Sequence, residues 1–337
     1  MFRTALIGCG AIAQTHADNL SRMENVSLVG ICDIIPEKAE ALKQKFGFLS
    51  APVYTDYRKM LDEVKPDVVH ICTPHYLHAE MAIEALNRDI HVMLEKPVCL
   101  SPDEFDLLLK AEQNSKAKIC VSFQNRFLER NEKLKSLVLS GEYGKILSAV
   151  GTCFWKREGA YYTESPWRGR LATEGGGVLI NQSIHTLDLL LWICGMPERI
   201  AAITANLHQK GIIETEDTAV LRLVYPEGFV GLFFATNGNS VSAPVSLEIR
   251  CEKGVLSIRD GDLWINDEPQ HLKDPVKVST GKADWGVGHR HLFDSFYAAL
   301  EKGENSPVSV QDAYRAVSVL RAAYRSNGEE IPITGRE

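Results

Sequence analysis

The sequence of 337 residues predicts an α/β protein in two parts, a parallel sheet covered by helices and then a domain of largely antiparallel strands. Three observations carry this. In the first third, short continuously apolar runs alternate with helical runs, the pattern of a parallel sheet buried on both faces. A glycine-rich hexapeptide, "GCGAIA" at 8–13, sits between the first such strand and the first helix. Beyond residue 124 the pattern changes to β-rich runs punctuated by turn residues. The chain is also longer than one hydrophobic core usually supports, so domains of 1–124 and 125–337 are expected.

In order, "TALIGCG" reads as a strand, "AIAQTHADNL" as a helix and "VSLVGICD" as a second strand ending on Asp33. "PEKAEALKQKF" is a helix, "PDVVHICT" a strand, "YLHAEMAIEAL" a helix and "IHVMLE" a strand. "SPDEFDLLLKAEQNS" opens with Ser101 as N-cap, Pro102 at the first helical position and Glu104 completing a capping box. In the second part "NEKLKSLVLSGEYGK" is a helix and "ILSAVGTCFWK" begins a strand. "RIAAITANL", "DTAVLRLVY", "GFVGLFFATN" and "VSLEIRCEKGVLSIRD" follow, with "PEG", "EKG" and "DGD" marking antiparallel hairpins. Two helices, "GHRHLFDSFYAALEKG" and "SVQDAYRAVSVLRAAYRSNG", close the chain.

The glycine turn has a specific physical use. Gly8 permits the tight turn, Gly10 lets the backbone approach a pyrophosphate, and Ala13 allows close packing of helix on strand. Residues 10–13, with Ala11 and Ile12, then form a helix N-terminus whose N–H groups and dipole favour negative charge. Asp33, 20 residues beyond Ala13, can accept hydrogen bonds from a ribose. Its carboxylate would repel a 2′-phosphate, and Ile34 and Ile35 bring no cation, so NAD is favoured over NADP.

Composition removes other classes. The net charge of −7 and the scattered Lys and Arg argue against nucleic acid. No apolar run reaches the ~18 residues of a membrane span, and the N-terminus lacks a signal-peptide layout, so a cytoplasmic protein is expected. The eight cysteines form no CxxC and sit mostly in apolar runs, where a free thiol behaves as a small hydrophobe.

Later strands deliver residues to the same crevice at their C-terminal ends. Thr73 and Pro74, followed by His78, close one strand; Glu95, Lys96 and Pro97 close the next. "GGGVLINQSIHTLDLLLW" at 175–192 reads as a helix apolar almost all round. At 100° per residue, Asn181, His185, Asp188 and Trp192 fall within about 60° of one another. Buried polar groups need partners, and the economical expectation is that this stripe lines a substrate cleft. The bland reading is that His185 and Asp188 bond each other and join helix to sheet.

In this order and spacing, GCGAIA, Asp33, TPHYLH, LEKP and GGGVLINQSIHTLD resemble the Gfo/Idh/MocA oxidoreductases over nearly the whole chain. The resemblance implies a Rossmann domain and a C-terminal α+β domain with a large, mostly antiparallel open sheet, whose free face commonly joins subunits into a homodimer or homotetramer. It also implies hydride transfer between NAD(P) and a ring carbon of a sugar, sugar derivative or cyclitol. Two departures stand out: His75 where the family often has Asn, and Asn181 where many members have Asp. No step is therefore assigned to a carboxylate at 181.

On this basis His185 is expected as the base for the substrate hydroxyl, Lys96 as polariser or relay, and Asn181 as a neutral orienting group. The reverse assignment, Lys96 as base, stays open. Tyr161, Tyr162, Trp167 and Arg168 in "AYYTESPWRGRLATEGGG" offer stacking and donors to a sugar, or form a subunit contact. Asn125 and Arg126 in "QNRF" and His289 in "GHRH" complete the expected substrate residues; the HxH pair alone is too little for a metal. Two other functions stay open: a hydrolase or lyase that oxidises its substrate transiently and regenerates NAD, which the same Lys and His would serve, and a non-catalytic NAD sensor, for which an intact Lys96 and His185 set is unnecessary.

Overall fold

The computed structural model describes residues 1–272 and 287–335. Its first unit begins with β1 (Phe2–Ile7), α1 (Ala11–Leu20), β2 (Val26–Cys32), α2 (Pro36–Phe46), β3 (Val53–Tyr54) and α3 (Tyr57–Val64). It continues with β4 (Val68–Ile71), α4 (His78–Leu86), β5 (His91–Leu94), α5 (Pro102–Asn114) and β6 (Ile119–Val121). The six strands are parallel in the order β3-β2-β1-β4-β5-β6. This is the Rossmann order, whose reversal point lies between β1 and β4. The apolar runs explain it: β4 is buried at every position, as strands covered on both faces must be. Ser101 caps α5 as expected, accepting from Glu104 N–H at 3.1 Å. The return bond from Glu104 goes one residue earlier than a capping box places it, to Leu100 N–H at 2.7 Å.

The second unit contains α6 (Glu129–Leu139), β7 (Ile146–Phe154), α7 (Gly159–Thr163), α8 (Leu171–Glu174), α9 (Ile184–Cys194) and β8 (Arg199–Ala205). Then come β9 (Thr218–Val224), β10 (Val230–Thr236), β11 (Ser246–Cys251), β12 (Gly254–Arg259), β13 (Asp262–Ile265) and β14 (Glu268–Pro269). After α10 (Val287–Lys302) and α11 (Val310–Ser326), β15 (Ile331–Pro332) completes a nine-stranded sheet, β14-β13-β12-β11-β7-β10-β9-β8-β15. All its pairings are antiparallel except β10 with β7. Strands β9 and β10 alternate buried and exposed residues, so one face carries the core and the other is open. Helix α9 packs on β7 and β11.

The units are Met1–Gln124 with Val276–Ala313, and Asn125–Pro275 with Tyr314–Glu337. The first ends where the sequence pattern changes. The return of α10 to it is absent from a division into 1–124 and 125–337, because an amphipathic helix does not announce which core it joins. All eight cysteines are buried and free, and no helix among the described residues is long and apolar enough to cross a membrane.

Candidate active site

In the first unit the glycine turn has the geometry its residues imply. Gly8 adopts φ +87°, and a Cβ there would lie 2.8 Å from the Cys72 carbonyl. The same contact sets Thr73 beside the turn, its Cγ2 3.0 Å from that position. At Gly10 nothing lies within 4 Å of where a Cβ would be, and the residue is exposed. No internal packing requires glycine there, but a backbone that must admit a ligand does. Gly10 is also the N-cap of α1 and gives it no side-chain cap, while the first turn carries no acid. The orphan N–H groups are thus left for an anion. Ala11 is exposed, Ile12 half-buried and Ala13 fully buried under the helix. Asp33 is held at the loop, accepting from Cys9 N–H at 2.7 Å and Ile35 N–H at 2.9 Å. These features fit the diphosphate and ribose of NAD.

Beyond β4 and β5 the side chains divide. Thr73, Pro74 and Lys96 are half-buried. His78 is fully buried, with its ring nitrogens 2.8 Å from the Pro97 carbonyl and 2.9 Å from that of Thr73. Its side chain therefore ties two strand-end loops together rather than reaching a cofactor, a correction to the expectation. Burial holds this imidazole below its ordinary pKa against the pull of both carbonyls.

Glu95 and His289 need a second correction. Both side chains are taken out of solvent: Glu95 is 4 % exposed and His289 fully buried. Glu95 Oε1 lies 3.0 Å from His16 Nε2 and 3.5 Å from His289 Nε2. His16 Nδ1 meets His70 Nδ1 at 2.9 Å, His70 Nε2 meets the Tyr297 hydroxyl at 3.0 Å, and that hydroxyl meets Thr4 Oγ1 at 2.9 Å. Burial pushes the Glu95 carboxyl up, but the imidazoles outweigh it and hold it well below the usual range. Burial pushes His16 and His70 down. Sequence reading missed this network; its histidines lie 54 and 219 positions apart and carry no common spacing signal. His16, Glu95 and His289 have donor atoms within 4.8 Å of one another. A closed metal site wants a fourth ligand, and the direct His16–Glu95 bond accounts for the cluster without an ion.

In the second unit the triple glycine is explained by what lies under it. Gly175 closes α8 at φ +82°. A Cβ on Gly177 would sit 1.8 Å from the Glu216 carbonyl oxygen. The Glu216 carboxylate accepts from Gly177 N–H at 3.0 Å, Leu179 N–H at 3.0 Å and the Tyr324 hydroxyl at 3.0 Å. Burial outweighs those donors and raises its pKa to about 7. The turn that launches α9 is thereby fixed from below.

That turn also corrects the helix boundary. Helix α9 starts at Ile184, so Asn181 belongs to the turn before it and only His185, Asp188 and Trp192 share the helix. The Gly177 and Val178 carbonyls already accept from Asn181 and Ser183 N–H, but without a repeating helical ladder. Within α9 every residue is buried except His185 and Trp192, which are half-buried. Asp188 accepts from Arg126, which donates from Nε at 2.8 Å and from its NH2 arm at 2.5 Å. Arg126 is 6 % exposed and also lies 5.8 Å from the Trp192 ring. It is a buried counter-ion, not an exposed donor for substrate. Asn125, half-buried, accepts from Asn131 through its carbonyl.

The aromatic loop sorts in the same way. Tyr162 is 3 % exposed and its hydroxyl accepts from Asn237 at 2.8 Å, so it is a core residue and its expected substrate role is corrected. Its neighbour Tyr161 is half-buried, as are Trp167 and Arg168. The Tyr161 hydroxyl accepts from Asn181 Nδ2 at 3.3 Å and from Gln182 Nε2 at 3.1 Å. Asn181 also donates to Glu174, a fully buried carboxylate that accepts from Gly169 N–H. Sequence reading passed over Glu174 because it looks like the last residue of a surface loop.

Two family models match the chain. One describes an oxidoreductase family with an NAD-binding Rossmann fold and covers residues 2–123; the other describes the GFO/IDH/MocA C-terminal domain and covers 131–257. The chain is 31% identical over 213 residues to D-glucoside 3-dehydrogenase of Escherichia coli, covering 62% of this chain and 58% of that protein. It is 29% identical to glucose-6-phosphate 3-dehydrogenase of Bacillus subtilis over 99% of both chains. Among solved structures it resembles the WlbA dehydrogenase of Bordetella pertussis in complex with NADH and UDP-GlcNAcA. The TM-score is 0.85 and the identity 28%, over 98% of each chain.

Proposed function

The chain belongs to the GFO/IDH/MocA oxidoreductases, and from that premise we propose that it oxidises a secondary alcohol of a sugar, sugar derivative or cyclitol, with Lys96 and His185 as its acid/base pair. The observation that carries the reading is His185 itself. A helix buried at every position but two leaves an imidazole half-exposed at its second residue, next to a turn held by Glu216. The sugars in the names of the three relatives support the substrate class.

Bound NAD⁺ supplies the hydride acceptor at the nicotinamide. The residues of this chain do the rest. The α1 N-terminus takes the diphosphate and Asp33 a ribose hydroxyl. His185 removes the hydroxyl proton of the substrate as the C–H hydride leaves the same carbon, so the products are a ketone, NADH and one proton. Lys96 donates a hydrogen bond to the oxygen as negative charge develops on it.

The test is NADH absorbance with NAD⁺ and a panel of sugars, glycosides, sugar acids and inositols, with Lys96→Ala and His185→Ala alongside. A rise with one substrate class, lost by at least about 100-fold in single turnover in either variant, is the expected result. Near-normal transfer in His185→Ala would remove His185 from the chemistry. No rise with any compound would overturn the dehydrogenase reading.

We also propose that the open face of the second unit's sheet, where exposed apolar side chains gather on β8, β9 and β10, joins copies of this chain.

A further inference from the structure

We propose that Arg168 and Arg157 form an oxyanion subsite, and that the alcohol oxidised here is borne by a sugar that also carries a carboxylate or phosphate. The inference rests on reading the 161–185 segment as the substrate side of the protein.

Both guanidinium groups stack on the same ring. Arg168 Cζ lies 4.3 Å from the Tyr161 centroid and Arg157 Cζ 5.3 Å from it. Each has a second aromatic platform, Trp167 at 5.1 Å for Arg168 and Trp155 at 4.9 Å for Arg157. Cation–π stacking fixes the planes of the guanidinium groups without neutralising their charge. Among the described residues neither arginine is paired with a carboxylate. The Arg157 guanidinium has one hydrogen bond, from NH1 to the Lys156 carbonyl, and that of Arg168 has its ring contacts. Carboxylates of the neighbourhood are engaged elsewhere: Glu158 with Lys156 and Glu174 with Gly169 N–H and Asn181.

Both Nε atoms are buried without a hydrogen-bond partner. A buried donor left without a partner is costly, so two in one cluster call for a reason. An oxyanion supplies one, because a guanidinium binds carboxylate or phosphate through paired N–H donors. The position is suitable for a substrate. The Tyr161 hydroxyl already accepts from Asn181 and Gln182, so its own hydrogen remains to be donated. Asn181 stands four residues before His185. A sugar with its charged group on the arginines and a hydroxyl near Tyr161 would extend toward the imidazole.

The experiment compares D-glucose, D-glucuronate and D-glucose 6-phosphate. Calorimetric binding is measured to the NADH-loaded protein and kcat/KM is measured with NAD⁺, each for wild type, Arg168→Gln and Arg168→Lys. A charged sugar should bind about 10- to 100-fold more tightly than glucose. Arg168→Gln should remove most of that ratio, and Arg168→Lys should recover part of it. Whether glucuronate or the phosphate gains more separates the two anion sources. Equal binding of all three sugars overturns the subsite, as does an Arg168→Gln loss equal for charged and neutral sugars, which marks a structural role. Binding does not depend on turnover. If no sugar is oxidised but a charged one binds through Arg168, the dehydrogenase reading fails and the subsite stands.

Discussion

The carboxylate of Glu95 stands 3.0 Å from His16 Nε2 inside the first unit, so the residue just before Lys96 is locked inward by an imidazole of α1. One assignment of protons satisfies the whole chain of bonds. Ionised Glu95 accepts from His16 Nε2–H, His16 Nδ1 accepts from His70 Nδ1–H, His70 Nε2 accepts from Tyr297, and Tyr297 accepts from Thr4. Every imidazole in it is then neutral, in keeping with the burial that lowers His16 and His70.

This makes stability sensitive to mild acid. His16, His70 and His78 all have folded pKa values lowered by burial. As pH falls through about 6.5 the unfolded chain takes up protons that the folded chain refuses, so stability present above that pH is lost. Glu216 works in the opposite sense. Its folded pKa, raised to about 7, gives stability that is full below its unfolded value and is lost as pH rises toward 7. His91 is lowered as well and Glu112 raised alongside Glu216, so the lowered imidazoles outnumber the raised carboxyls and unfolding takes up protons on balance. Urea midpoints measured from pH 7 to pH 5 should fall. A flat profile would show that these histidines are charged in the native state.

Two glycines should respond in opposite ways to one methyl group. Gly10→Ala places a Cβ in open space at φ −75°, so the unfolding free energy should change by less than about 1 kcal/mol. NADH affinity, read by fluorescence titration, should fall at least about tenfold as the added methyl meets the pyrophosphate. Gly177→Ala drives a Cβ into the Glu216 carbonyl oxygen and should cost about 3 kcal/mol or more of stability. Unchanged NADH binding in Gly10→Ala would separate that residue from the cofactor.

What the sequence disclosed follows from how local each signal is. The glycine turn and the strand ends before Asp33 and Lys96 were legible as structure because each is set by a few adjacent residues and the strand it terminates. The periodicity argument for Asn181 misread a turn as helix, since Val178, Leu179 and Ile180 are buried by the Glu216 anchor rather than by a helical stripe. Partners far apart in sequence stayed hidden. Nothing near Asp188 marks Arg126, 62 residues earlier, as its counter-ion, and nothing near His289 says that it faces Glu95. Tyr161 and Tyr162 look alike in sequence, and only packing decides which ring is sealed in the core.

The Arg126–Asp188 pair predicts its own sensitivity. The two side chains are 7 % and 2 % exposed, so removing the cation leaves a buried carboxylate without its bidentate partner. Arg126→Met should lower the unfolding free energy by about 3–5 kcal/mol. Arg126→Met combined with Asp188→Leu should recover a good part of that. Equal losses in the single and double variants, by urea denaturation, would mean that the pair contributes packing and not charge compensation.

The last prediction concerns the open face of the nine-stranded sheet. Ile203, Val220, Leu232 and Phe234 are 65 %, 46 %, 46 % and 38 % exposed. They are not scattered. Ile203 pairs with Val220 and Val220 with Phe234 across β8, β9 and β10, and the Phe154 ring of β7 meets Phe234 at 4.9 Å. A contiguous apolar patch of this kind on a regular sheet marks an interaction surface. A second copy of the chain presents the same flat face, and two-fold assembly is self-complementary. On the proposal that copies of the chain join here, Leu232→Glu should convert the assembly to a smaller species by light scattering after gel filtration. The side chain points away from the core, so the far-UV spectrum should not change. A wild-type chain that is monomeric at micromolar concentration, or an assembly unaffected by both Leu232→Glu and Phe234→Glu, would place the interface elsewhere.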